Sequence, residues 1–252
     1  MPVKVTGVSF DDAHSYNDWG LKLKSVSIGV PKAKTVYVSV NGMNGSLDLT
    51  EAQNGGVVYE MRTLKFTFDA RDCSYIRWTG LISRIARAIE GEERRIILDV
   101  DSGYYYTGRC HIDTKKTNEE LAEISIECTC DPYKLDVTSS NEPWKWDTFS
   151  FIDGVIRNTS DIDINSQTSW KEITLDGYPY NDTLKIISNA SMKVKYRNGT
   201  YDIYAGENIM YDIELYEGEN KLYFQGKGKI TIVHRGGMSV SYTHLTLPTN
   251  SL

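Results

Sequence analysis

Period-two alternation of apolar and polar residues runs through most of this chain, and a single helical pattern interrupts it. In "TLKFTFDA", Leu64, Phe66 and Phe68 fall on one face and Thr63, Lys65 and Thr67 on the other. Side chains alternate across a strand, so such a segment buries one face only as part of a sheet. "RRIILDVDSGYYYTGRCHI" reads as two strands about a turn at Asp101-Ser102-Gly103. "KVKYRNGTYDIYAGENIMYDIELYEGENKLYFQGKGKITIVHR" reads as several more. Asn198-Gly199 is its sharpest turn signal, and Gly206, Gly218 and Gly226 space the later strands. Tyr, Thr, Val and Ile recur throughout, a composition that suits strands.

The exception is "DCSYIRWTGLISRIARAIEGEE". Trp78, Leu81, Ile82, Ile85 and Ile89 repeat at helical spacing and predict one apolar stripe laid on a sheet. Asp72 or Ser74 is expected to cap its start and Gly91 to close its end.

A boundary falls in "CDPYKLDVTSSNEP", between Pro132 and Pro143. It divides an N-terminal domain, 1–134, from a linker, 135–143, and a C-terminal domain, 144–239. The C-terminal domain contains no helical pattern and is expected to be an antiparallel β-sandwich. Residues 240–249, "VSYTHLTLPT", match the translation of a transposon-type sequencing adapter, GTC TCT TAT ACA CAT CTG ACG CTG CCG ACG. Residues 240–252 are therefore expected to be an artefact, with the natural sequence lost near Met238, and His244 receives no functional reading.

The net charge is −6. The densest basic run, Arg84, Arg87, Arg94 and Arg95, is broken by Glu90, Glu92 and Glu93, which suits a solvated face better than a nucleic-acid stripe. The first residues lack a signal-peptide pattern, and no apolar run reaches the ~18 residues of a membrane span. The expectation is a soluble protein made in a cytoplasm, without membrane insertion.

Chemistry is hard to find. Cys128 and Cys130 could join Cys73 and Cys110 on zinc, but structural zinc sites favour two close couples, and the CxC pair shares a strand face with Ile124 and Ile126. Buried thiols explain that pattern better. His14, His111 and His234 lie far apart with no local nucleophile signature. Asp99 and Asp101 could serve as a glycosidase pair, yet they flank a turn, where solvation is the simpler reading. No phosphate-binding loop or dinucleotide fingerprint is present. Trp144 and Trp146 could stack on a glycan, although alternating aromatics at the start of a sandwich more often seed its core. No catalytic residue, metal or cofactor is assigned.

Several ordered pieces resemble the distal tail (Dit) proteins of long-tailed phages. They are "HSYNDWGLKL", "VPKAKTVYVSVNGMNGSLDLTEA", "YEMRTLKFTF", "YYYTGRC", "CDPYK" and "EGENKLYFQGKGKITIVHRGG", spread over nearly the whole chain. Asn41 stands where that family usually has Pro before Gly42, which bears on the local turn alone.

The resemblance implies a mainly β protein with one helix. Its N-terminal β domain, carrying an extended hairpin, would form a ring, and a galectin-like or carbohydrate-module-like sandwich would lie outside. It implies a homo-hexameric hub at the virion tail tip, assembled in the bacterial host cytoplasm. Implied partners are the tail tube protein, the tail-associated baseplate or lysin protein and, in some phages, a receptor-binding protein. DNA would cross the central channel without specific binding.

Under this reading Asn44, Gly45, Leu47, Asp48, Leu49, Thr50 and Glu51 belong to an assembly arm. A carbohydrate-binding module for host attachment is the second reading, and a cell-wall hydrolase the third.

Overall fold

The computed structural model describes residues 7–52, 56–70, 74–116, 122–137, 159–177, 183–216, 218–234, 237–238 and 245–246. The chain divides into two compact units, Met1–Lys134 with Ser239–Leu252, and Leu135–Met238.

The first unit contains β1 (Val8–Phe10), β2 (Ala13–His14), β3 (Lys22–Ile28), β4 (Tyr37–Ser39), β5 (Ser46–Asp48) and β6 (Arg62–Asp69). Helix α1 (Tyr75–Ile89), β7 (Glu93–Leu98), a 3₁₀ turn (Asp99–Asp101), β8 (Tyr104–Lys116) and β9 (Ala122–Cys130) follow. Hydrogen bonding orders the main sheet β3-β6-β9-β8-β7-β1-β2.

The alternation in "TLKFTFDA" is realised directly. Leu64, Phe66 and Phe68 are fully buried, opposite Cys128, Ile126 and Ile124 of β9. Trp78, Ile85 and Ile89 of α1 are buried in the same core, and Leu81 and Ile82 pack at its margin. Ser74 is the residue before the helix, but its side chain makes no capping bond. Gly91 follows the helix at φ 68°, while Asp72 and Cys73 lie outside the described residues. The link from β7 to β8 is longer than a turn at 101–103, because the 3₁₀ turn precedes it.

The second unit opens with β10 (Lys134–Asp136), which straddles the division, and continues with β11 (Ile162–Gly177), β12 (Thr183–Ser188), β13 (Met192–Tyr196), β14 (Gly199–Ile203), β15 (Gly206–Glu214), β16 (Gly218–Val233) and β17 (Gly237–Met238). The sheet order is β14-β13-β16-β12-β15, with β11 also on β16. β16 serves two sets of neighbours. Its Leu222–Gln225 part pairs with β13 and its Ile230–Val233 part with β12, while β11 follows it along nearly its whole length.

Leu222, Phe224, Ile230 and Ile232 all point into one core, with Ile164, Leu184, Ile186, Val194 and Ile203. The expected sandwich is thus one continuously hydrogen-bonded antiparallel sheet whose parts share a core.

Two turn expectations shift. Gly226 separates no strands and lies inside β16, between its two pairing partners, at φ 149°. A Cβ there would stand 2.6 Å from Met192 Cγ, so Gly is required at this crossing. In the β13–β14 hairpin Tyr196 pairs with Gly199, so the loop is Arg197-Asn198 rather than Asn198-Gly199. Arg197 takes the left-handed φ of 51°. Gly199 lies in the strand, and only glycine fits there, because a Cβ would stand 2.7 Å from Tyr201 Cζ.

Leu245–Thr246, labelled β18, pairs antiparallel with Val26 and Ser25 of β3. An unpaired strand edge accepts any extended chain that reaches it, so this pairing needs no specific sequence.

Candidate assembly surface

β4 and β5 form a two-stranded sheet of their own, with Tyr37 opposite Asp48, Val38 opposite Leu47 and Ser39 opposite Ser46. The ladder continues toward the body of the unit. Lys34 N donates to Val58 O at 2.8 Å, Glu60 N donates to Lys32 O at 2.7 Å, and Ala33 bridges Tyr59. At the tip, Gly42 and Gly45 take left-handed φ values of 84° and 83°. "NGMNG" supplies residues that tolerate that conformation.

A small polar clamp fixes the hairpin where it leaves the ladder. Thr50 N donates to Asp48 Oδ1 at 2.9 Å, and the Thr50 hydroxyl donates to the same oxygen. Val36 N donates to Thr50 Oγ1 at 3.1 Å, and Leu49 N to Val36 O at 2.8 Å. The bonds from Thr50, side chain first and then backbone, hold the Asp48 carboxyl below its ordinary pKa.

Every residue from 32 to 48 is exposed. Val36, Tyr37, Val38, Val40, Met43 and Leu47 are among them, with Tyr37 62% and Leu47 44% accessible. An isolated hairpin is marginal in water. Cross-strand pairs contribute about 0.2–1 kcal/mol each, against about 1–2 kcal/mol to order each backbone residue. The described chain therefore supplies no core for this arm, and its apolar side chains form a surface suited to a partner.

Of the expected arm residues, Leu47 stands exposed on β5, Asn44 and Gly45 form the tip, and Asp48 and Thr50 form the clamp. Leu49 and Glu51 continue from it, Glu51 exposed and Leu49 partly covered. Trp144 and Trp146 lie outside the described residues.

The residues weighed for chemistry have structural partners. His14 Nε2 stands 3.3 Å from both oxygens of Asp99, and Lys134 Nζ is 2.7 Å from Asp101. His111 Nδ1 is 2.6 Å from Glu90, and His234 is buried in the second unit. Cys110, Cys128 and Cys130 are buried thiols, with Cys128 Sγ 2.8 Å from Cys110 Sγ across the β8–β9 ladder. Among the described residues, no group of three or more His, Cys, Asp and Glu is placed to hold a metal, and no helix is long and apolar enough to cross a membrane.

The motifs behind the family resemblance are likewise architectural. Tyr104, Tyr105 and Tyr106 each lie beneath a cation: Lys134 at 4.0 Å, Arg95 at 5.1 Å and Arg62 at 5.5 Å from the ring centres.

The structure resembles the crystal structure of SPP1 Dit, described as a paradigm of the hub adsorption apparatus in phages infecting Gram-positive bacteria. The TM-score is 0.60 at 12% identity, over 93% of this chain and 100% of that one. This chain has a Dit-like fold. No protein-family model and no curated protein matches the sequence. The Dit-like fold therefore rests on backbone architecture, which persists where identity has fallen to 12%.

Proposed function

We propose that this chain is a structural protein of a long-tailed phage tail tip, and that six copies close into a hub ring between the tail tube and the baseplate. The carrying observation is the β4–β5 arm, an ordered hairpin with apolar side chains on a surface that the described residues leave open. A Dit-like fold gives that arm a context, since the SPP1 neighbour is a hub protein. A second copy of the chain is the occupant of the arm's surface. A head-to-tail contact closes into a ring only at a fixed angle, and the Gly42–Gly45 tip and the Asp48–Thr50 clamp set the hairpin's shape.

The tube protein, a tail-associated baseplate or lysin protein and a receptor-binding protein are the further partners, and DNA crosses the channel. The net charge of −6 suits that passage, because a basic lining would retain phosphate. No enzymatic role is proposed. Negative-stain microscopy and mass measurement test the reading. Six-fold rings, formed alone or with tube or baseplate protein, are expected, and a monomer under all these conditions overturns it.

A further inference from the structure

We infer that the tip of the β4–β5 arm is a site of self-modification: Asn41 and Asn44 each close onto the following glycine amide, release ammonia, and pass through a cyclic imide to aspartate and isoaspartate. The inference concerns the free chain and does not rest on ring assembly.

The chemistry needs an asparagine followed by a residue without a side chain. The glycine backbone N attacks the asparagine Cγ. A Cγ–N bond forms, the Cγ–Nδ2 bond breaks, and the departing amide takes up the proton lost by the glycine N and leaves as ammonia. Water then opens the imide at either carbonyl. One opening gives ordinary aspartate, and the other routes the main chain through the side chain as isoaspartate. Each event consumes a water and releases an ammonia, so no oxidant or other reagent is required.

The sequence contains four such pairs, Asn41-Gly42, Asn44-Gly45, Asn54-Gly55 and Asn198-Gly199. Asn54-Gly55 lies outside the described residues, and the fold separates the other three. Ring closure requires a glycine amide that is free of other bonds and a peptide that can swing until its N faces Cγ. Among the described residues, neither Gly42 N nor Gly45 N donates a hydrogen bond. A single turn bond, from Met43 N to Val40 O at 3.1 Å, spans Asn41 and Gly42. Asn41 and Asn44 are exposed, and among the described residues nothing comes within 4 Å of a Cβ placed on Gly42 or Gly45. The moving peptide and the attacking water therefore both have room.

Asn198-Gly199 is the same dipeptide in the opposite setting. Gly199 is the ladder partner of Tyr196 at the closed end of the β13–β14 hairpin, which engages its amide. The Tyr201 ring lies against it. Swinging that peptide would open a hairpin whose Val194, Tyr196 and Ile203 are buried in the core of the second unit. The motif is shared, but the fold leaves it reactive at the arm tip and holds it closed in the second unit. At the tip, each conversion replaces a neutral amide by a carboxylate. The isoaspartate product also lengthens the main chain by one carbon, beside a ladder that sets Ser39 opposite Ser46.

The test holds the full chain in warm, mildly alkaline buffer, folded and in urea, and follows each pair by peptide-mapping mass spectrometry with fragmentation that separates aspartate from isoaspartate. In the folded chain Asn41 and Asn44 are expected to convert at least about tenfold faster than Asn198, giving both products. In urea the three rates should converge, since each asparagine has the same following residue. Asn41→Gln with Asn44→Gln should abolish the arm-tip products and leave Asn198 unchanged, because glutamine must close a larger ring. The folded Val38→Lys, Leu47→Glu chain is run in parallel, so that cover by a second copy is not mistaken for an unreactive tip. Conversion of Asn198 as fast as Asn41 and Asn44 in both folded chains overturns the proposal, as does a contrast that survives urea and so belongs to local sequence. Light scattering on the same samples reads oligomeric state, which keeps failure here distinguishable from failure of the ring.

Discussion

His14 and Asp99, 85 residues apart in sequence, are joined through an imidazole whose tautomer the backbone decides. Tyr16 N and Asn17 N donate to His14 Nδ1 at 3.2 and 3.1 Å, so Nδ1 carries the lone pair and Nε2 the hydrogen. Nε2 faces Asp99, whose Oδ2 also accepts from Gly7 N at 2.7 Å. The imidazole thus ties the loop after β2 to the 3₁₀ turn after β7. His14→Ala should lower stability by about 1 kcal/mol, because it removes the side-chain link while water can satisfy the exposed Tyr16 and Asn17 donors. Urea unfolding measures this, and an unchanged midpoint would show that solvent replaces the link at no cost.

The helix stripe predicts a harsher outcome. Ile85 has no accessible surface within the first unit's core. Ile85→Asp would bury a carboxylate there at a cost of several kcal/mol, against the ~5–15 kcal/mol that holds a domain together. Insoluble or unfolded protein is expected. Leu81 is only partly buried, so Leu81→Asp should be milder.

The arm should separate folding from assembly. Val38 and Leu47 face each other across the hairpin, and both are exposed. Val38→Lys with Leu47→Glu keeps an opposite-charge pair across the ladder and should cost the monomer little. The same pair replaces apolar side chains by charges at every copy of the proposed ring contact. A cooperatively folded protein that no longer forms rings is expected by calorimetry and light scattering. Rings that persist would remove the arm from the interface. Asp48→Lys is a poorer probe, because it also breaks the clamp to Thr50.

Alkaline pH should destabilise the first unit. Burial is the main cause that pushes both the Cys130 thiol and the Tyr106 phenol up to about 12. In the unfolded chain these groups ionise near 9.0 and 10.0. Both folded values are raised, so their contribution is complete below about pH 9 and is lost as pH climbs toward about 12. The melting temperature should be flat near neutrality and fall across that window. The Cys130→Ala, Tyr106→Phe double variant should show a shallower fall, and an equal one would place the titration elsewhere.

Deleting residues 240–252 should leave the melting temperature nearly unchanged. The described contact of this stretch is the pairing of Leu245 and Thr246 with the edge of β3. A fall of many degrees on calorimetry would make the stretch part of the fold and count against an adapter origin.

Local periodicity made much of this fold legible. The faces of β6 and β9 and the stripe of α1 are set by residues two, three or four apart, and the core contains them as expected. What sequence hid depends on distant contacts. Asn198-Gly199 has the stronger turn chemistry, but Gly199 pairs with Tyr196, and its lack of a side chain serves the approach of the Tyr201 ring instead. Gly226 resembled a strand boundary until Met192 packed against it. The arm's turn residues were visible, whereas its exposure follows from the described core lying elsewhere.

The double allegiance of β16 has a kinetic consequence. Its first part needs β13 and its second part needs β12, while β11 must align with both. Neither set of neighbours can complete its sheet before residues some 60 positions apart, such as Ile164 and Gly228, have met. Such long-range pairing carries the loop-closure entropy before any contact repays it. The second unit should accordingly fold slowly, with the local β13–β14 hairpin waiting on the distant pairing along β16.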